Sequence, residues 1–185
     1  MSDFTKKAIK SEFIKMLNEK PLSQITVKSL VEACGINRNT FYYHYQDIPA
    51  LIEEIVQEEV DRIVEEYPTV DSLETALNAV IDFASKNRRA ILHIYRSVNR
   101  DIFETYLWRV CDYVVNTYAE TVLAGHGVSP EDTDILKRCS KCLCFGLCIE
   151  WMNSGMNEDV HKRIQRFCEL QKGSIEEIIR KCEET

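Results

Sequence analysis

A short stretch of this 185-residue sequence, residues 37–45, carries side chains suited to hydrogen bonding with nucleic acid. A surface helix usually favours Glu, Lys and Ala, because these residues have high helix propensity. This stretch instead combines residues that lower helix propensity but can contact base edges and phosphates, and only the rings of Phe41 and Tyr45 are left to face a core. The polar residues are Asn37, Arg38, Asn39, Thr40, Tyr42, Tyr43 and His44.

A second group of chemically active residues is a cluster of cysteines near the end of the chain, formed by Cys139, Cys142, Cys144 and Cys148. Successive residues of a helix are about 100° apart, so the first two share one face and the other two lie nearly opposite. One ion therefore cannot bind all four, and we interpret these residues as small buried hydrophobic side chains. Two alternatives stay open: thiol sensing, together with Cys111 or Cys168, and a metal site shared across a dimer.

Other patterns for metal binding or catalysis are incomplete. Residues 158–161 read Glu-Asp-Val-His, but helical di-iron proteins need two such E-x-x-H motifs and two further glutamates. The sequence has no H-E-x-x-H, P-loop, G-x-S-x-G or G-x-G-x-x-G motif. We therefore predict no catalytic residue, no metal site and no cofactor, and we do not expect an enzyme.

The polar stretch needs helices to position it, and the sequence around it predicts a helix-turn-helix. Apolar residues recur at helical spacing over residues 27–34, and Thr26 is the expected N-cap. Gly35 ends this helix, because glycine readily adopts the left-handed conformation of a tight helix exit. Asn37 then caps a second short helix. Such a unit lays its second helix in the major groove of DNA.

The rest of the chain also has helical periodicity, and no segment alternates as a half-buried strand does. Asp47 is expected to cap a fourth helix that ends near Tyr67, and short amphipathic helices follow over residues 73–85 and 90–98. A helix start at Ser129 and a final helical region over residues 158–182, which Gly173 could interrupt, complete the chain. We predict an all-α protein with an N-terminal three-helix head and a C-terminal helical bundle.

Charge is distributed unevenly along the chain. The 23 basic and 30 acidic residues give a net charge of −7, of which residues 1–47 contribute +2 and residues 48–185 contribute −9. Because an acidic chain does not bind polyanions in general, any contact with DNA must come from a local patch. No apolar run of about 18 residues is present, and the N-terminus does not resemble a signal peptide. We therefore expect a cytoplasmic protein without a membrane partner, and reduced cysteines.

The run from Ile25 to Tyr45 closely resembles the DNA-binding head of the tetracycline-repressor (TetR) family. The family pattern has a threonine, a short apolar helix, an alanine-x-glycine-valine turn and a threonine-leucine-tyrosine-x-histidine-phenylalanine recognition helix. Residues 40–45, which read Thr-Phe-Tyr-Tyr-His-Tyr, are the counterpart of that recognition helix. The sequence itself resembles the family over residues 5–66. Beyond them the resemblance is limited to a helical body of suitable length.

The resemblance assigns roles by position. Thr26 and Lys28 correspond to residues that touch phosphate or a groove edge. Thr40, Tyr42 and His44 correspond to backbone anchors, which set the register without reading sequence. Arg38, Asn39 and Tyr43 are the expected base readers, because arginine pairs with guanine and asparagine with adenine.

Two departures from the family pattern bear on affinity and specificity. Asn39 stands where the family often has glycine, so the bases that are read should differ. Ile48 stands where the family often has lysine, so one phosphate contact should be lost.

Beyond the head, the resemblance implies a ligand-binding and dimerising body. Family members sense small molecules in a cavity between helices, and the aromatic residues expected to line it here are Phe83, His93, Phe103, Tyr106 and Tyr113. The last two helices of each family subunit form a four-helix dimer interface. The apolar residues that this suggests are Leu143, Leu147, Trp151, Ile164, Phe167, Ile175 and Ile178.

These inferences predict a helix-turn-helix DNA-binding domain over residues 1–47, a connecting helix over 48–68, and a regulatory and dimerisation domain over 69–185. The expected function is that of a homodimeric, ligand-responsive repressor that binds a palindromic double-stranded DNA operator. Its small-molecule effector is unknown. The alternative is a helical protein-interaction module that has kept the head but lost DNA binding.

Overall fold

A computed structural model describes residues 2–68, 73–97, 100–157 and 160–183. Within these ranges the chain forms α-helices and one 3-10 turn but no β-strand, which confirms the prediction of an all-α protein. The helices are α1 (Ser2–Glu19), α2 (Val27–Cys34), α3 (Arg38–His44), α4 (Ile48–Glu66), α5 (Leu73–Lys86), α6 (Arg88–Tyr95), α7 (Arg100–Leu123), α8 (Pro130–Asn153), α9 (Val160–Gln171) and α10 (Ser174–Glu183).

The helices divide into two compact units. The first unit comprises residues 1–59 and 84–106, and the second comprises residues 60–83 and 107–185. Each unit combines two separate segments of the chain. The division into domains at residues 47 and 68 stays a prediction.

The first unit is built around one apolar face of α1. Ile9 and Phe13, about one turn apart on that face, are fully buried together with Leu30 of α2 and Phe41 of α3. Ile94 of α6 lies in the same core, and α1 packs against both α2 and α6. Burying a large apolar side chain stabilises the fold by about 1.5–3 kcal/mol. This core therefore holds the two short helices, which could not persist alone.

Local capping bonds define the two short helices, as the sequence predicts. Thr26 caps α2: its Oγ1 accepts a hydrogen bond of 3.1 Å from the Ser29 backbone N–H. Gly35 ends α2 with φ +66°, a left-handed conformation that favours glycine. Asn37 caps α3, and Asp47 accepts a 2.8 Å bond from the Ala50 N–H in the first turn of α4.

Aromatic, cation–π and hydrogen-bond contacts join α7 to α8 in the second unit. Trp108 of α7 meets Phe145 of α8 edge to face, with ring centroids 5.3 Å apart. Lys141 of α8 lies over the Trp108 ring and donates a 2.6 Å hydrogen bond to the carboxylate of Asp112. Tyr118, also on α7, is buried and donates a hydrogen bond to the backbone carbonyl of Tyr67.

Several details differ from the sequence-based boundaries. The helix expected over residues 90–98 runs from Arg88 to Tyr95, and Val98 lies outside the described residues. Gly173, with φ +82°, separates α9 from α10, as anticipated. A 3-10 turn at Leu22–Gln24 was not predicted; it buries Leu22 against the core of the first unit.

The E-x-x-H pattern is only partly described, because Glu158 lies outside the described residues. The Nδ1 atom of His161 donates a 2.9 Å hydrogen bond to the amide oxygen of Asn78. Its Nε2 atom lies 3.3 Å from a carboxylate oxygen of Asp82. Both ring nitrogens therefore have polar neighbours on α5.

None of the helices in the described part of the chain is long and apolar enough to cross a lipid bilayer.

Candidate nucleic-acid interface

Helix α3 exposes several polar residues to solvent and buries one large apolar side chain. Tyr43 is 80% exposed and Tyr42 is 55% exposed, and Arg38 and Asn39 are also exposed. Phe41 is fully buried in the core of the first unit. The predicted base readers Arg38, Asn39 and Tyr43 therefore all remain available to a ligand outside the chain.

Asn37 and Thr40 form the N-terminal cap of α3. The Oδ1 atom of Asn37 accepts a 2.8 Å hydrogen bond from the Thr40 backbone N–H and a 3.1 Å bond from the Thr40 hydroxyl. The amide nitrogen of Asn37 and a lone pair of the Thr40 oxygen are left for other contacts. Both residues are thus held in fixed positions at the start of α3.

Thr26 and Lys28, at the start of α2, are both exposed. Thr26 and Ser29 form a reciprocal capping box, in which Ser29 Oγ also accepts a 3.1 Å bond from the Thr26 N–H. The Lys28 ammonium lies 4.0 Å from the Glu32 carboxylate, with both side chains about two-thirds exposed. Exposed pairs of this kind contribute little energy, so separating Lys28 from Glu32 costs little.

His44 lies in the last turn of α3, half-buried among aromatic rings. Its ring meets Tyr43 edge to face at 4.9 Å and lies 6.3 Å from the Tyr45 ring. These contacts limit the rotation of the imidazole. His44 is therefore held in place in the helix that carries the predicted base readers.

A polar network that the sequence pattern does not predict fixes the end of α3. Tyr45, only 3% exposed, donates a 3.1 Å hydrogen bond from its hydroxyl to Oε1 of Glu54 in α4. Lys6 and Lys10 of α1 form ion pairs with the same carboxylate, Lys6 at 2.8 Å. Burial acts to raise the pKa of Glu54, but hydrogen bonds from Lys10, Lys6 and Tyr45 outweigh it and lower the pKa to about 2.

The apolar residue at position 48 has a packing role. Ile48 begins α4 and packs, partly buried, against the core of the first unit. A lysine here would place its ammonium group in solvent, whereas isoleucine adds apolar contact. Isoleucine in place of lysine at position 48 therefore removes a cationic side chain and adds packing against the core.

The aromatic residues predicted to line a ligand cavity are divided between the two units. Phe83 and Tyr113 belong to the second unit, and His93, Phe103 and Tyr106 belong to the first. His93 donates a 2.7 Å hydrogen bond from Nδ1 to the Leu17 carbonyl, so that nitrogen already has a structural partner. Burial and the nearby Asp61 carboxylate raise the pKa of Tyr113.

Phe103 and Tyr106 line a crevice in the first unit whose enclosed volume is about 10 Å³. That volume holds about one water molecule, whereas small-molecule cavities are typically several hundred Å³. The crevice is completed by Leu22, Pro49, Ile52, Ile94 and Ile102. A larger ligand would have to open it.

The residues predicted for a dimer interface are mostly exposed apolar side chains. Leu143 and Leu147 on α8 are 49% and 43% exposed, and Phe167 of α9 and Ile175 and Ile178 of α10 are also exposed. Trp151 and Ile164 are half-buried. Among the described residues, Nε1 of Trp151 is a buried donor with no hydrogen-bond partner. An exposed apolar patch often marks a contact with another molecule.

Comparisons with known proteins agree with this geometry. Residues 14–55, which include the helix-turn-helix, match the family model described as bacterial regulatory proteins, tetR family. Residues 71–173 match the model described as transcriptional regulator C-terminal region. No curated protein is similar enough in sequence to count as a match.

Several solved structures share the fold, among them those of two proteins named as regulators. One is the dihydroxyacetone kinase operon activator DhaS, with a TM-score of 0.73 and 16% identity over 93% of this chain and 96% of that chain. The other is NalD, the secondary repressor of the MexAB-OprM multidrug efflux pump in Pseudomonas aeruginosa. Its TM-score is 0.51 and its identity 18%, over 91% of this chain and 95% of that chain.

Proposed function

Since the chain belongs to the TetR family of DNA-binding transcriptional regulators, we propose that it represses transcription as a homodimer on a palindromic operator. A small-molecule effector releases it from DNA. It acts in the cytoplasm, and as a regulator it is not an enzyme.

The observation that carries this proposal is the division of α3 into an exposed polar face and a buried apolar one. Arg38, Asn39 and Tyr43 are free to reach base edges, while Phe41 and Tyr45 attach the helix to the core of the first unit. Side chains that read bases must be held in a defined orientation, because forked hydrogen bonds tolerate little displacement. The Tyr45–Glu54 bond supports that orientation.

The proposal of a homodimer rests on the length of α3 and on the exposed apolar residues. A helix of seven residues reads few base pairs, whereas a two-fold dimer reads two half-sites about 34 Å apart. Leu143 and Leu147 of α8, with Phe167 of α9, supply apolar surface for a contact with a second copy. An isologous interface of this kind has the same two-fold symmetry as a palindromic operator.

The effector proposal rests on the aromatic side chains of the helical body. Phe103 and Tyr106 in the first unit border the small crevice, and Phe83 and Tyr113 belong to the second unit. An effector shifts the protein between two states only if it binds one of them more tightly. The effector is therefore expected to select a conformation with a wider cavity and a lower affinity for DNA.

The proposal is tested by selecting bound duplexes from a random DNA pool at two salt concentrations. We expect a palindromic consensus, with affinity that falls steeply as salt rises because bound phosphates release counterions. The matched control is the double variant Arg38→Ala/Asn39→Ala, which should lose the base preferences that these two residues impose while it keeps the helical content of the wild type. A wild-type chain that enriches no sequence at either salt concentration would contradict the proposal.

The second candidate is a protein-interaction module, favoured by the small charge of the head and by Ile48 at the start of α4. A module that has lost DNA binding should show no salt-dependent affinity for any duplex. The same selection therefore separates the two candidates.

A further inference from the structure

Three cysteines that are distant in sequence meet in the second unit. Cys111 of α7 lies beside Cys144 and Cys148 of α8, and their three Sγ atoms all lie within 4.8 Å of one another. Cys111 is buried and the other two are half-buried. Cys139 and Cys142 of α8 are exposed, so the interpretation of these two residues as buried hydrophobic side chains is wrong.

The two helices are fixed on either side of this cluster. Asp112, which follows Cys111, accepts the 2.6 Å hydrogen bond from Lys141. Phe145, which follows Cys144, packs edge to face against Trp108. These contacts join α7 to α8 at the level of the three thiols, so the convergence of the sulfur atoms does not depend on a single flexible side chain.

We propose that Cys111, Cys144 and Cys148 bind a thiophilic metal ion, Zn²⁺ or Cu⁺, through their three sulfur atoms. A zinc–sulfur bond is about 2.3 Å long, which places three bound sulfur atoms about 4 Å apart. The observed separations need only small side-chain rotations to reach that value. Thiolates are soft ligands and select Zn²⁺ and Cu⁺ over harder cations.

The number of cysteine ligands indicates which metal coordination the cluster can support. Within the described residues, this group of metal-ligating side chains contains the three cysteines and no histidine, aspartate or glutamate. Structural zinc sites usually have four protein ligands, whereas three ligands leave one position for water or an external ligand. The cluster therefore fits a three-coordinate Cu⁺ or a Zn²⁺ with one exchangeable position.

Coordination requires the thiols to lose their protons. Each thiol that binds releases one proton to solvent, so affinity rises with pH. The positive charge of a bound ion favours the thiolate form of each cysteine that it contacts.

A bound ion would cross-link α7 to α8. Because both helices belong to the second unit, ion binding can be measured as stabilisation of that unit, whether or not the chain binds DNA. The inference does not rest on the proposed function.

The test uses the full chain, purified with a reductant and freed of metal by dialysis against a chelator. It is titrated without oxygen with Zn²⁺, with Cu⁺, and with Co²⁺ as a spectroscopic probe. We expect one ion per chain, a thiolate-to-cobalt charge-transfer band, and a higher melting temperature with Zn²⁺ or Cu⁺. The ion that competes best against a chelator of known affinity identifies the metal.

Cys144→Ser removes one ligand at a half-buried position and should weaken binding more than about tenfold, since even changes outside the ligand set cost that much. Cys148→Ser gives the same test if the first variant does not fold. The matched control is the double variant Cys139→Ser/Cys142→Ser, which should bind the ion like the wild type. Failure of the wild type to bind either ion, or equal loss of binding in the control, would overturn the proposal and leave the thiols as core packing.

Discussion

The hydroxyl of Tyr45 donates a 3.1 Å hydrogen bond to Oε1 of Glu54, and this bond joins the residue that follows α3 to α4. Lys6 and Lys10 of α1 neutralise the same carboxylate. The end of the proposed recognition helix is thus tied to two longer helices. Its orientation depends on side chains of α1 and α4 as well as on its own residues.

Replacing Tyr45 by Phe keeps the buried ring and removes the bond to Glu54. We expect the free energy of unfolding to fall by about 1.5–3 kcal/mol, the usual range for a hydrogen bond to a charged group. Denaturant unfolding followed by circular dichroism measures the change. Tyr43→Phe, at an exposed position in the same helix, is the control and should unfold like the wild type. Equal stability of Tyr45→Phe and the wild type would show that the bond does not stabilise the head.

The low pKa of Glu54 makes stability depend on pH in the acid range. Its pKa is about 2 in the folded chain against an ordinary value of 4.5. The ionised carboxylate therefore stabilises the fold fully above about pH 4.5, and this contribution is lost as pH falls towards 2. The difference in unfolding free energy between the wild type and Glu54→Gln should be largest at neutral pH and shrink between pH 4.5 and 2. A difference that stays constant across this range would contradict the assignment.

Arg38→Ala is expected to relax the preference for one base pair in each half-site. A forked arginine–guanine contact is worth about 1–3 kcal/mol of discrimination. Affinities for the selected operator and for a set of single-base variants measure the effect. At the base pair that Arg38 reads, the variant should bind all four alternatives alike, while it keeps the wild-type preferences elsewhere. Wild-type discrimination at every position would rule out Arg38 as a base reader.

Lys28→Ala is expected to weaken binding to every duplex by a similar factor. Loss of one phosphate contact lowers the slope of log affinity against log salt by about one for each head. Titrations at several salt concentrations measure that slope. The control is Lys15→Ala, an exposed lysine of α1 that pairs with Glu12 and lies outside the helix-turn-helix. A similar loss of slope in both variants would mean that Lys28 acts only through general charge.

Leu147→Glu is expected to disrupt the proposed homodimer. Leu147 is 43% exposed in the single chain, so the substitution should not unfold it, but a buried glutamate without a partner would oppose an apolar interface. Sedimentation velocity should show monomers, and affinity for the full palindrome should fall to that for one half-site. Val80→Glu, at a similarly exposed apolar position on α5, is the control. A dimer that survives Leu147→Glu would place the interface elsewhere.

Much of the head could be predicted because its determinants are local. The caps at Thr26, Asn37 and Asp47 each involve a residue three positions further along the chain. Gly35 ends α2 through its own backbone conformation. Interactions of this range depend only on residues close together in sequence, so they can be predicted from it. Hydrophobic periodicity then predicts which face of each helix is buried.

The polar network and the thiol cluster could not be predicted in the same way. Lys6 and Glu54 are separated by 48 positions, and Cys111 meets two residues of another long helix. Helical periodicity shows that Cys144 and Cys148 share a face, but it does not show what that face meets.

The amino-acid sequence by itself determined the all-helical architecture, the helix-turn-helix and the set of polar residues that α3 exposes. These follow from residue types, capping and periodicity within a few turns of helix. Only the tertiary structure decided that Tyr45 binds Glu54, that Ile48 packs on the core and that three thiols converge between α7 and α8. The physical reason is that periodicity sets the direction of a side chain around its own helix axis, whereas packing of the whole chain sets which helices lie side by side.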